Sequence, residues 1–251
     1  MKKINRAVIL AAAVFTAAGA FSAAAADDEG PGKYLNKTGN EGNSAESVEN
    51  VFSVKDMRAA QEAQKLVLVV GQGGSKIEVS YYKKDDGENW NQVFETEGVY
   101  GRNGGTWDKK EGDGMTPYGT YGINKAFGIL DNPGSILPYT KLTENDYWVD
   151  DSGSGHYNRM VNTTQTAVDW NSAEHLVKVA PYYNYVLSLD YNEEAVPGKG
   201  SAIFVHCTEE GYTGSSGCIC IGEEEMKTLV MEADDTMKTV IVPSEDALKE
   251  Q

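Results

Sequence analysis

The chain has 251 residues, with 22 Lys+Arg against 38 Asp+Glu and a formal net charge of −16. So acidic a chain is not a general nucleic-acid binder, because that affinity comes mainly from Lys and Arg neutralising phosphates. Three cysteines cannot build a disulfide scaffold, whereas 40% apolar residues suffice for a packed core.

Residues 1–26 read as a secretory signal. Lys2, Lys3 and Arg6 form a basic head, Ala7 to Ala20 is apolar, and Ala24 to Ala26 offers a small-residue cleavage site before Asp27. The rival reading is an uncleaved anchor, since the apolar run to Ala26 is just long enough to span; its Ala content argues against this. The expected location is secreted or in the cell envelope. Residues 27–63 are expected to form a flexible acidic linker. As far as Asn50 the stretch is rich in Gly, Asn, Asp, Glu and Ser with almost no large apolar residue, and Val48, Val51, Phe52 and Met57 give only a weak helical stripe.

A folded domain is expected over 64–251, and its pattern is mostly β. Leu66 to Val70 is a buried-strand run closed by Gly71. Ile77, Val79 and Tyr81 alternate with polar residues, Asp86-Gly87 signals a hairpin, and Trp90 to Val99 forms the next strand. Val186 to Asp190 and Ile203 to Val205 are further strands. Glu223 to Met237 is the best helix, with Met226, Leu229, Val230 and Ala233 at helical spacing. The Gly101 to Gly105 loop lacks the Lys-Ser/Thr of a phosphate cradle.

The chemistry concentrates between Ala202 and Ile221. His206 ends an apolar strand, Cys207 follows it, and Cys218 and Cys220 follow Gly217. Three readings stand side by side. His206 and a cysteine could form a nucleophile pair, since an imidazole that takes the thiol proton favours the reactive thiolate. His206, Cys207, Cys218 and Cys220 have the ligand types of a zinc site but not its usual spacing. The third is bland: buried free cysteines and a core histidine.

Ser216-Gly217-Cys218-Ile219, preceded by His206, resembles the signature of the YkuD-type L,D-transpeptidases. Gly112 to Tyr121, Ala126-Phe127-Gly128, Ser172 to Leu176 and Asp190-Tyr191-Asn192 resemble further segments of that family, in the expected order. The resemblance covers roughly Leu66 to the C-terminus and looks like a Gram-positive secreted branch. It implies a β-sandwich-like catalytic domain with few helices, acting without cofactor or metal on peptidoglycan stem peptides. Cys218 matches the nucleophile and His206 its base, and the backbone at Gly217 and Cys218, with Ser216, is the expected oxyanion donor set. Ser215, Tyr212, Tyr191, His175 and Trp148 are the candidates for lining the substrate cleft, Trp148 as part of a flap from Tyr147 to Asn158. Stem tetrapeptides would be cut before the fourth-position D-Ala, through an acyl-thioester, to form cross-links between third residues. The alternatives are an L,D-carboxypeptidase with water as acceptor and an inactive wall-binding module. A monomer acylated by carbapenem-type inhibitors is expected.

The chain departs from the family pattern in three ways, the first being a gap from His206 to Cys218 that is shorter than in many members. The usual second His before the Gly is Ser216, and an Arg common two residues after the nucleophile is Cys220. Cys207 and Cys220 also raise the idea of a disulfide that blocks Cys218, against the plain alternative that both are small buried residues.

Overall fold

The computed structural model describes residues 53–251; the signal sequence and most of the linker read from the sequence lie outside them. Fourteen strands carry the described fold. They are β1 (Lys65–Gly71), β2 (Lys76–Lys84), β3 (Trp90–Val99), β4 (Gly105–Thr106), β5 (Thr116–Pro117), β6 (Gly119–Gly128) and β7 (Tyr139–Lys141), then β8 (Asp146–Val149), β9 (Arg159–Asn162), β10 (Ala173–His175), β11 (Val186–Leu189), β12 (Phe204–Cys207), β13 (Ile219–Ile221) and β14 (Met237–Val242). The α-helices are α1 (Arg58–Glu62) and α2 (Glu223–Glu232).

The main sheet runs in the order β11-β12-β13-β3-β2-β1-β14-β6-β7, and β6 also pairs with β11. Strand β6 is long enough to do both. Its first residues align with β14 and its later ones with β11, so the sheet closes on itself. The β2–β3 hairpin turns where Asp86-Gly87 signalled it. The Asp85 carboxylate accepts the backbone N–H groups of Gly87 and Asn89, both at 2.9 Å.

The inside of this closed sheet is the main core. Val67, Val69, Ile77, Val79, Leu187, Val205, Cys207, Ile219, Ile221 and Ile241 meet there. Alternation along each strand sends every second side chain inward. Helix α2 packs Met226, Leu229 and Val230 onto that core, and each such side chain, fully buried, contributes roughly 1.5–3 kcal/mol. The helix is shorter than the sequence pattern suggests. It stops at Glu232, where Lys65 donates to the Glu232 carbonyl at 2.7 Å and pairs with Asp234 at 2.5 Å. A cation among the unpaired carbonyls of the last turn favours termination there. The chain then enters β14, whose Met237 to Val242 run the helical reading had partly absorbed.

The outer face of β1 and β14 is covered from the N-terminal side. Val54, Met57, Ala59, Ala60 and Ala63 are buried against Leu66, Leu68, Val70, Val240 and Val242. The stretch from Val54 to Ala63, expected as linker, therefore belongs to the folded domain. Its apolar residues recur often enough to cover one sheet face, while the polar ones remain outward.

The outer face of β6, β11, β12 and β13 carries a third cluster. It holds Phe127, Trp148, Leu176, Tyr183, Phe204, Cys218 and Cys220. A small three-stranded sheet, in the order β10-β8-β9, contributes Trp148 to it. The candidate site lies on this face.

Candidate active site

Strands β12 and β13 run parallel, and His206 sits opposite Cys220 in their register. Side chains two residues apart on a strand share a face, so Phe204 and His206 lie with Cys218 and Cys220. Cys207 points the other way, into the interior, where its thiol donates to the Tyr185 carbonyl at 3.6 Å. The four residues of the zinc reading are therefore split between two faces. Among the described residues, no group of three or more His, Cys, Asp or Glu side chains is placed to share a metal ion. All three cysteines are free and buried. The same split separates Cys207 from Cys218, and i, i+2 neighbours on one strand stand too far apart for a relaxed disulfide.

His206 is 4% exposed. Its Nδ1 lies 2.7 Å from the Cys207 carbonyl, which can only accept, so Nδ1 carries the proton and Nε2 keeps its lone pair. Nε2 lies 3.5 Å from Cys220 Sγ. The rings of Tyr182 and Tyr183 stand edge-on to the imidazole, with centroids 6.4 and 5.2 Å away. Burial lowers the His206 pKa to about 4 against a smaller rise from the Cys207 carbonyl, so the ring is a neutral base near neutral pH.

Cys218 is 6% exposed, and its thiol donates to the Ala202 carbonyl at 3.1 Å. Burial pushes this thiol well above its ordinary pKa, and the charge of Glu174 adds to the rise. The Phe204 backbone N–H and the Lys109 ammonium work in the opposite direction. Lys109 is itself buried and pairs with Asp113 at 2.5 Å, in the loop between β4 and β5.

The turn before Cys218 is tightly built. Gly217 has φ +147°, and a Cβ there would come within 2.9 Å of the Met115 carbonyl oxygen. Only glycine fits without strain. The Gly217 carbonyl accepts from Thr116 Oγ1 at 2.9 Å. Ser215 Oγ accepts the Gly217 N–H at 3.0 Å and donates to the Cys218 carbonyl at 2.6 Å. Ser215 is thus buried in the turn rather than facing a cleft, and the Gly217 N–H, expected to serve an oxyanion, already has a partner. Ser216 is exposed, with its hydroxyl held by Arg102 Nη1 at 2.8 Å.

The remaining sequence candidates separate. Tyr212 belongs to the site: it packs against the cluster of Cys218 and Cys220, 4.9 Å from the Tyr182 ring. Trp148 is 3% exposed and stacks among Phe127 and Phe204. Its indole donates to Asn158 Oδ1, which also accepts the Ala202 N–H, each at 3.1 Å. Trp148 therefore braces the residue whose carbonyl holds the Cys218 thiol, instead of lining a cleft. Tyr191 packs on the interior cluster and donates its hydroxyl to the Lys199 carbonyl at 2.6 Å. His175 stacks on Tyr147 at 4.4 Å and meets the Glu144 carbonyl at 2.9 Å.

Three residues near the thiol, Glu174, Tyr183 and Lys109, were not singled out by the sequence. Glu174, beside His175, accepts the Tyr183 hydroxyl at 2.6 Å, and burial lifts its pKa to about 7. Lys109 supplies the cation that favours the Cys218 thiolate. For Glu174 a signal existed: period-two alternation places it and His175 on opposite faces of β10, so at most one could face this cluster.

Residues 76–242 match the family model of the L,D-transpeptidase catalytic domain, YkuD. No curated protein matches the chain. Among solved structures, it is similar to the Ldtfm–avibactam carbamoyl enzyme at 15% identity and TM-score 0.35, over 73% of this chain and 50% of that one. An L,D-transpeptidase (Yku) from Stackebrandtia nassauensis is similar at 15% identity and TM-score 0.34, over 76% and 61%. Mycobacterium tuberculosis L,D-transpeptidase 1 is similar at 13% identity and TM-score 0.31, over 71% and 62%. The chain spans between half and somewhat over three-fifths of the length of these structures. The family model spans well over half of the chain, on the stretch that holds His206 and Cys218, and the chain belongs to the L,D-transpeptidase catalytic-domain family.

Proposed function

We propose that the protein is a cysteine L,D-transpeptidase of peptidoglycan, working outside the cytoplasm, with Cys218 as nucleophile and His206 as base. The observation that carries this is the imidazole: Nδ1–H is fixed on the Cys207 carbonyl, so Nε2 is an unprotonated acceptor on the face that holds Cys218 and Cys220, with Cys220 Sγ at 3.5 Å. Proton transfer from Cys218 to Nε2 gives a thiolate. That thiolate attacks the carbonyl carbon of the third stem residue, and the S–C bond forms. The bond to D-Ala then breaks, and the imidazolium returns its proton to the departing amine. An acceptor amine attacks the thioester, His206 takes the proton that amine loses, the new C–N bond forms as the S–C bond breaks, and the departing Cys218 thiolate regains its proton from His206.

Lys109 favours the thiolate electrostatically at a site where burial opposes it. With the Gly217 N–H committed to Ser215, the developing oxyanion falls to the Cys218 N–H at the start of β13. Incubation with a disaccharide-tetrapeptide should release D-Ala and give a cross-linked dimer by mass. A Cys218→Ala variant should lose this activity by at least about a thousandfold, the scale of removing a covalent nucleophile; full turnover in that variant refutes the assignment. Monomeric tripeptide as sole product points to an L,D-carboxypeptidase. Absence of both product and any carbapenem adduct on the intact protein points to a binding module.

A further inference from the structure

The register between β12 and β13 does not give His206 to Cys218. Val205 aligns with Ile219 and His206 with Cys220, so Cys218 stands one pair earlier, level with Phe204. The contacts follow that register. Cys218 lies at the Ala202 carbonyl, at 3.1 Å, while the only in-plane lone pair of His206 lies 3.5 Å from Cys220 Sγ. Cys220 is fully buried, and burial holds its thiol in the protonated, donor form. A neutral imidazole whose Nδ1 proton is committed can accept one hydrogen only. In the resting enzyme that hydrogen is the Cys220 S–H.

We propose that Cys220 is a positioning residue that competes with Cys218 for the base, so that the resting site is held unreactive by its second thiol. This rests on the assignment of Cys218 as nucleophile. For Cys218 to react, the Cys220 S–H must leave Nε2, and the Cys218 proton must leave the Ala202 carbonyl and bond to Nε2. The S–H bond of Cys218 breaks, its electron pair stays on sulfur, and the N–H bond of imidazolium forms. Cys220 sulfur then accepts from that N–H, so one side chain partners the buried ring in both protonation states. Both exchanges give up weak S–H hydrogen bonds. The groups that face the ring are Tyr182 and Tyr183, with Glu174 behind the Tyr183 hydroxyl, and the Cys220 thiol.

The test follows alkylation of Cys218 by iodoacetamide, mapped by peptide mass, across pH 5 to 9 in the full chain. Cys220→Ala removes the competing donor. Its Cys218 should react about fivefold faster near pH 7, with the rate profile shifted to lower pH. Cys220→Ser keeps a donor to Nε2 and should restore the slow profile. An alanine variant that reacts no faster than the parent, or a serine variant that behaves like the alanine one, overturns the proposal. In the unaltered protein, the nitrogen-15 shifts of His206 should report an unprotonated, hydrogen-bonded Nε2; a proton on Nε2 overturns it without any variant. Alkylation needs no peptide. Failure to turn over tetrapeptide with the expected alkylation profiles strikes the L,D-transpeptidase assignment and leaves the role of Cys220 standing.

Discussion

Replacing Gly217 by Ala perturbs one atom at the turn that presents Cys218, the proposed nucleophile. The backbone there has φ +147°, and the added Cβ would lie 2.9 Å from the Met115 carbonyl oxygen and 3.2 Å from Ile203 Cδ1. Holding an L-residue in that region costs about 1–3 kcal/mol. The Ile203 methyl can rotate away, but the Met115 carbonyl belongs to a loop pinned by the Met115 N–H on Asp113 and by Thr116 on Gly101 and Gly217. Relief must therefore come from the Gly217 turn, which adds roughly 1 kcal/mol of overpacking. The expected loss is about 2–4 kcal/mol, a large share of the stability of a domain of this size. Urea unfolding followed by tryptophan fluorescence reads the stability, and iodoacetamide labelling of Cys218 reads the turn. A change below about 0.5 kcal/mol with labelling unaltered would refute the claim that this turn is over-determined.

A buried histidine and a partly buried glutamate give opposing pH dependences. The His206 pKa is lowered from 6.5 to about 4, so the unfolded chain binds more protons in that interval and stability falls with acidity through it. The drop is up to about 3 kcal/mol, and His206→Gln should abolish it in a pH series of urea titrations. The Glu174 pKa is raised from 4.5 to about 7, so its contribution runs the other way and is lost as pH rises through that interval. Glu174→Gln keeps an acceptor for the Tyr183 hydroxyl and cannot ionise. It should match the parent below pH 4.5 and exceed it by up to about 3 kcal/mol above pH 7; a constant difference across that range counts against a partly buried, strained carboxylate.

The strands with plain alternation or long β-branched runs were legible. Trp90 to Val99 has the same ends in both accounts, and the core side of α2 was read from its spacing. Strand β6 was not, because Gly-Thr-Tyr-Gly-Ile-Asn-Lys carries turn-forming residues within a strand whose pairing comes from three partners distant in sequence. Of the site, the shared segment and the pair His206 and Cys218 were visible as residue types. Which thiol stands opposite the imidazole was not, since parallel register depends on the crossover and leaves no local mark. Ser215, Trp148 and His175 are of types that suit a cleft, yet their hydrogen bonds go into the turn, the Ala202 brace and the β10 edge. Lys109 and Tyr183 had no signal, since a lysine in a polar loop and one tyrosine among 14 look ordinary until the chain folds.

Strand β14 follows every other described strand in sequence, yet it lies between β1 and β6 in the main sheet. It pairs in parallel with β1 and antiparallel with β6, so each of these strands keeps one open edge until it arrives. A chain emerging from the ribosome cannot close its sheet before β14 is made. Until then β1 and β6 each present an open edge. A chain truncated before Met237 should therefore fail as a whole rather than lose a tail, and proteolysis of nascent chains stalled before β14 is made should find them unprotected.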